Sequence, residues 1–224
     1  MNSGPKTSRS KQADPCPAPR LYLVTPPVAD VQTFSESLAA ALGAGDVAAV
    51  LLRLADADER TQINRAKALG TIVQDKGAAL LIEDQAGLVA RAGADGAHVT
   101  GIAAFGDAVE QLKPERIVGV GGLFTRHDGM VAAEMGADYV MFGEPGRGGE
   151  RPGFDAIEER VAWWAEVFEA PCVAHAASLD EIAPLMKAGA DFIALGDWLW
   201  RDPQAVAATV AQAADRLRLP ESAA

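Results

Sequence analysis

Eight stretches of this sequence carry side chains suited to chemistry, and each sits at or just past the end of a short apolar run. They are Thr25, Arg53, the pair Glu83-Asp84, His98 with Thr100, Gly121-Gly122, the run Gly143–Arg151, His175 with Ser178, and Gly196-Asp197. Adjacent carboxylates suit a hard divalent cation, but an aspartate ahead of a helix also caps it, so Asp84 reads either as a metal ligand or as a cap. Strand alternation sends neighbours to opposite sides, so at ideal geometry at most one of Glu83 and Asp84 points into the mouth. Arg53 ends a buried run and needs an acidic partner or an anionic ligand, and Glu83 or Asp84 can be that partner. His98 and His175 read either as hydrogen-bonded lining residues or as acid/base groups. The run 143–151 contains four glycines together with Arg147 and Arg151. It is either an anion cradle of amides and guanidinium groups or a plain connection.

The elements that must position these residues show in a repeated phrase. Ala92-Gly93-Ala94-Asp95, Met135-Gly136-Ala137-Asp138 and Ala188-Gly189-Ala190-Asp191 each close a helix-like stretch and open an apolar run. Glycine just past a last helical turn accepts positive φ, which marks a helix-to-strand joint. Leu42-Gly43-Ala44-Gly45-Asp46 is a looser fourth copy. Strands are expected over Leu21–Thr25, Val47–Leu54, Ala78–Glu83, Gly96–Thr100, Arg116–Val120, Tyr139–Gly143, Cys172–His175 and Phe192–Gly196. Helices are expected near 31–43, 58–76, 86–92, 104–112, 127–136, 155–169, 179–188 and 203–218. Eight alternating units with continuously apolar strands predict a parallel sheet that closes into a (β/α)8 TIM barrel of the α/β class, with chemistry at the C-terminal strand ends. A doubly wound sheet would want a glycine-rich first turn, and the turn after Thr25 is Pro26-Pro27. Of the tryptophans, one of Trp163 and Trp164 is expected in the core, while Trp198 and Trp200 line or plug the mouth.

The chain has 224 residues, 49% of them apolar and 6% aromatic. That length suits one domain, and we expect a tail over 1–20, a barrel over 21–219 and a C-terminal tail over 220–224. Deleting residues 1–18 is expected to leave stability unchanged. Net charge is −11, although residues 1–20 hold four basic residues against one acidic. Such a body repels nucleic acid and anionic membranes. No apolar stretch is long enough to span a bilayer and no signal peptide precedes the first strand, which points to a cytoplasmic, soluble protein. Cys16 and Cys172 form no metal spacing and suggest no disulfide framework. Assembly into a homo-oligomer stays open.

The mouth residues and their framing resemble the thiamine phosphate synthase family and its thiazole tautomerase relatives. The resemblance rests on Leu21-Tyr22-Leu23-Val24-Thr25, Asp84 before Leu88-Val89-Ala90, Ala94-Asp95-Gly96-Ala97-His98-Val99, Gly119-Val120, Gly136–Gly143 and Ala188–Asp191. It implies coupling of a hydroxymethylpyrimidine diphosphate to a thiazole phosphate, with release of pyrophosphate and help from magnesium. On that reading Arg53 and His98 are catalytic, and Asp84 is a metal ligand. Thr25, Gly121, Gly122, Arg147, Arg151, His175, Ser178 and Gly196 bind a small-molecule substrate at the mouth. The family's second metal aspartate falls at Ala103, leaving Asp107 as a substitute ligand. Its Gln-x-Arg-x-Lys clamp keeps only Arg53, its serine falls at Gly121, and its Thr-x-Thr-Lys loop is replaced by Glu144–Arg151. The tautomerase histidine falls at Leu123. Asp197 stands where a phosphate would meet free amides and is expected to cap them. Two functions therefore remain: a family enzyme with a weakened transfer reaction, or a barrel that binds a small ligand or a partner without catalysis.

Overall fold

Two consecutive prolines shape the start of the barrel. Neither Pro26 nor Pro27 has an amide hydrogen to donate, so the ladder between the first two strands breaks after Thr25. It resumes as a single bridge between Val28 and Leu54. The computed structural model describes residues 18–146 and 148–218. Within them, β1 (Arg20–Val24), β2 (Val47–Leu52), β3 (Ala79–Glu83), β4 (Gly96–Thr100), β5 (Ile117–Gly121), β6 (Tyr139–Phe142), β7 (Cys172–Ala176) and β8 (Phe192–Leu195) pair in parallel, each with the next. The ring closes where Leu21 of β1 lies beside Ile193 of β8. The predicted TIM barrel is the observed fold. Its second strand is two residues shorter than expected, because the chain turns at Arg53 to meet Val28.

Helices alternate with the strands: α1 (Val31–Gly43), α2 (Glu59–Gln74), α3 (Val89–Ala92), α4 (Ile102–Leu112), α5 (Arg126–Glu134), α6 (Phe154–Val167), α7 (Ile182–Lys187) and α8 (Val206–Arg218). Local chemistry fixes several starts. Asp30 accepts the amide hydrogens of Gln32 and Thr33, and Thr125 and Asp128 form a reciprocal capping box. The third and seventh helices are shorter than the sequence suggests because each opens with a 3₁₀ turn, Ala86–Leu88 and Leu179–Glu181. A further 3₁₀ turn, Asp197–Trp200, separates β8 from α8.

The repeated phrase has a mechanical explanation. Gly93, Gly136 and Gly189 adopt positive φ of 70°, 83° and 97°. The aspartate two residues on then reaches back to the preceding strand. Asp95 accepts the amide of Leu80, Asp138 that of Val118 and Asp191 that of Cys172, at 2.7 to 2.8 Å. These carboxylates satisfy amides at the bottoms of β3, β5 and β7 that would otherwise lack a partner. The fourth copy is different, since Gly43 and Gly45 have ordinary φ and Asp46 pairs with Arg20 instead.

Inside the strands a small cluster fills the axis, including Tyr22, Leu51, Leu81, Tyr139, Met141 and Val173. Outside them, a larger core binds the helices, with Trp164 fully buried and Trp163 at its rim under the Arg126 guanidinium. Burial pushes the Cys172 thiol up to about 12, which leaves it inert. Cys16, Arg147, residues 1–17 of the expected tail over 1–20, residue 219 and the expected C-terminal tail over 220–224 lie outside the described residues, while Arg20 opens β1 instead of belonging to the tail. Among the described residues no helix is long and apolar enough to cross a membrane.

Candidate active site at the barrel mouth

The inward positions of the last strand turns form the mouth. On one side Arg53 stands between two carboxylates: its Nε donates to Glu83 at 3.1 Å and its Nη1 to Asp197 at 2.9 Å. The expected ion pair is therefore a triad. Glu83, the last residue of β3, reaches Arg53, while Asp84, just past the strand, reaches the Thr100 amide on β4. Burial raises the Glu83 pKa, and Arg53 partly offsets it. Asp197 does not cap the turn it opens. That turn has no side-chain cap, and the carboxylate goes to Arg53, a stronger charge-assisted partner than the free amides.

Asp84 does not cap a helix either. Its backbone is left-handed, with φ of 49°, and its Oδ1 accepts the Thr100 amide hydrogen at 2.8 Å, joining the ends of β3 and β4. Asp107 lies inside α4, exposed, more than a turn past the helix start at Ile102, so the loop has not been reshaped to bring it to Asp84. Among the described residues no three His, Cys, Asp or Glu side chains converge as a metal site would require. Asp84, the expected metal ligand, spends Oδ1 on the Thr100 amide and has no second carboxylate brought to it by Asp107.

Thr25 is fully buried, and its hydroxyl accepts the Arg53 amide hydrogen at 3.0 Å, so it braces the β1 and β2 ends. Arg151 is likewise committed. It donates to the carbonyls of Gly143 and His175 and forms a fork with both oxygens of Glu181 at 2.9 and 2.7 Å. Four of its five N–H groups are thus spent on tying the loop after β6 to the end of β7, and not on an anion. Ser178 is exposed and opens the 3₁₀ turn without a side-chain bond. Trp198 and Trp200 brace strand ends, donating to the carbonyls of Ala176 and Val24, instead of plugging the mouth.

On the opposite side, His98 is buried and its Nδ1 lies 3.0 Å from the Tyr139 hydroxyl, which lies 2.8 Å from that of Tyr22. Burial lowers the His98 pKa to about 4, so the ring is neutral at neutral pH. Its Nε2 points toward Gly121. A Cβ at Gly121 would stand 2.8 Å from that nitrogen and 2.4 Å from Oε1 of Glu144. Glycine is required there, since any side chain would displace both. Glu144 accepts the Gly122 amide hydrogen, and burial raises its pKa above the usual carboxylate range.

His175, on β7, is also nearly buried, and burial beside Arg151 lowers its pKa to about 4. Its Nδ1 has no hydrogen-bond partner. Its Nε2 would stand 2.4 Å from a Cβ at Gly196, so Gly196 makes room for the imidazole as Gly121 does for Glu144.

The structure thus brings Arg53, His98, Gly121, Gly122, His175 and Gly196 to one mouth, with Thr25 beneath it and Arg151 beside it. Glu144, Tyr139 and Glu181 are the residues that sequence reasoning did not single out. A carboxylate directly after a buried strand was a signal for Glu144. Strand parity hid it, because Gly143 at φ of 88° breaks the alternation just before it.

Comparison with known proteins agrees with this architecture. A family profile described as thiamine monophosphate synthase matches residues 21–198. The thiamine-phosphate synthase of Rhodospirillum centenum is 44% identical over 196 residues, covering 86% of this chain and 94% of that protein. That of Hyphomonas neptunium is 37% identical over 210 residues, covering 88% and 93%. Among solved structures, thiamine phosphate pyrophosphorylase from Pyrococcus furiosus superimposes with a TM-score of 0.74 at 21% identity, covering 88% of this chain and 95% of that one.

Proposed function

From the premise that this chain belongs to the thiamine monophosphate synthase family, we propose that its barrel mouth is a small-molecule site for a heterocyclic ligand, and that it does not displace pyrophosphate from a pyrimidine diphosphate at a useful rate. The observation that carries this reading is the state of Arg53. It is the one residue kept from the family clamp, and two carboxylates already engage it. A diphosphate would have to compete with Glu83 and Asp197, and pay for desolvating itself beside Asp84 and Glu144 as well. The developing charge on a leaving pyrophosphate needs donors, and each donor removed commonly costs ~10²–10³ in rate. Here Ala55 and Gly121 stand where the family pattern has a lysine and a serine, and Ala103 where it has a metal-binding aspartate. The reading has residues 21–219 acting as one domain in the cytoplasm, with no nucleic-acid or membrane partner, as a monomer or homo-oligomer.

A second reading, the family transfer itself, is favoured by the names of the relatives. The deciding experiment incubates the purified protein with hydroxymethylpyrimidine diphosphate, thiazole phosphate and magnesium, and follows thiamine phosphate by chromatography. No product above background is expected, while calorimetry with the dephosphorylated heterocycles shows binding. Steady turnover would establish the second reading, with Arg147 the first group to replace.

A further inference from the structure

Glu144 is a carboxylate in a place where a ligand-binding barrel has few ways to use one. One oxygen is held by the Gly122 amide, so the side chain is oriented and not free to swing. Its other oxygen makes no hydrogen bond among the described residues. The missing side chain of Gly121 leaves room for Glu144 Oε1 and His98 Nε2 to face one position, 2.4 and 2.8 Å from where a Cβ would stand, and that Nε2 likewise makes no hydrogen bond among the described residues. Behind His98, Tyr139 and Tyr22 continue the hydrogen-bond chain into the barrel axis.

The direction of that chain settles what His98 offers. If Tyr139 donates to Nδ1, then Nε2 carries the hydrogen of the neutral ring. If Tyr139 donates to Tyr22 and accepts from Nδ1, then Nε2 is an acceptor. A carboxylate beside a nitrogen of either tautomer can meet a group with N–H donors, because the tautomer follows the ligand. It cannot meet a phosphate, whose oxygens would face a negative charge with only one adaptable donor opposite.

We propose that Glu144, held by Gly122 and backed by His98, is a specificity-determining residue that recognises a planar, N–H-donating group of amidine type on the ligand. This rests on the reading that the mouth is a small-molecule site, and it adds the chemistry by which the ligand is chosen. The carboxylate supplies a charge-assisted acceptor, and the neutral imidazole supplies the adaptable second contact. The partial burial of Glu144 strengthens such a contact relative to one in water.

The test uses benzamidinium as the probe on the full chain, with the backbone amide resonance of Gly122 as a local reporter and ionic strength held constant. Wild-type protein should show a saturable shift of that amide. Glu144→Gln, which keeps an oxygen for the Gly122 amide and so preserves the fold, should weaken binding by at least about tenfold, as expected for loss of a charged hydrogen-bond partner. Glu166→Gln, an exposed change on α6 that alters net charge equally, should leave the affinity as it was. Neutral benzamide should bind more weakly than benzamidinium. Absence of a saturable Gly122 shift in the wild type, equal affinity in Glu144→Gln, or a saturable shift with inorganic phosphate would overturn the proposal. The turnover assay above is independent of these outcomes, so failure of the amidine site and failure of the broader functional reading can be told apart.

Discussion

His98 and His175 show how single residues at the mouth tie its chemistry to stability. Both titrate at about 4 in the folded protein, against 6.5 for an unburied imidazole. Between those values the unfolded chain binds more protons than the native one. Each histidine's contribution is thus fully present above about pH 6.5 and is lost as pH falls toward 4. A shift of that size corresponds to about 3 kcal/mol per group at its limit. Glu83 and Glu144 act in the opposite sense, since their pKa values are raised and protonation favours the folded state. Both imidazoles lose their share of the stability over this interval, so denaturant stability should drop on acidification from pH 6.5 to 4. His175→Leu removes a titrating ring and an unpartnered buried nitrogen together. Its stability should depend less steeply on pH, with little loss at pH 7. A variant profile parallel to the wild type's would show that the ring does not carry this dependence.

Helix-to-strand joints are the elements that hold the mouth residues in register from below. Asp191 accepts the Cys172 amide inside the barrel floor, whereas Asp46, in the looser copy of the phrase, makes an exposed pair with Arg20. Equal-looking aspartates therefore have unequal roles. Asp191→Ala leaves a buried amide without a partner and should cost about 2 kcal/mol in urea unfolding. Asp46→Ala should cost about 0.5 kcal/mol, as surface pairs do. Similar losses from both would mean that the carboxylate-to-strand bond has no special weight. Above the floor, Arg151 performs the matching task, fixing the β6 loop that carries Glu144 to the end of β7 and to Glu181.

The whole molecule carries a net charge of −11 on 224 residues. Self-repulsion of that size opposes the compact state, and salt relieves it by shortening the Debye length from ~30 Å at 10 mM to ~8 Å at 150 mM. The melting temperature should rise over that range of sodium chloride. A fall would mean that the described ion pairs, such as Arg151 with Glu181, outweigh the general repulsion. The barrel also gathers Glu83, Asp84, Glu144 and Asp197 around one opening, so the local balance of the described residues matches the global one. On the proposed reading, that agreement disfavours a phosphate ligand at the mouth and favours an N–H donor.

Periodicity and joint chemistry determined the barrel from the sequence alone. Eight apolar runs, four of them opened by a glycine and aspartate joint, admit few arrangements, because short buried parallel strands need helices outside and a closed sheet has no edges. For Arg53 the sequence required either an acidic partner or an anionic ligand, with Glu83 or Asp84 able to be that partner. Tertiary structure alone decided which partners. Asp84, which the sequence reads as a metal ligand or a cap, goes to Thr100, and Asp197, expected as a cap, goes to Arg53, because a cap is a local bond that a charged or strand-end partner from a distant segment can outbid. Glu144 stayed hidden for a related reason: its place depends on the missing side chain of Gly121, 23 residues earlier, and on a positive φ at Gly143. Local patterns record which backbone an amino acid prefers. They do not record which empty space another strand will leave for it.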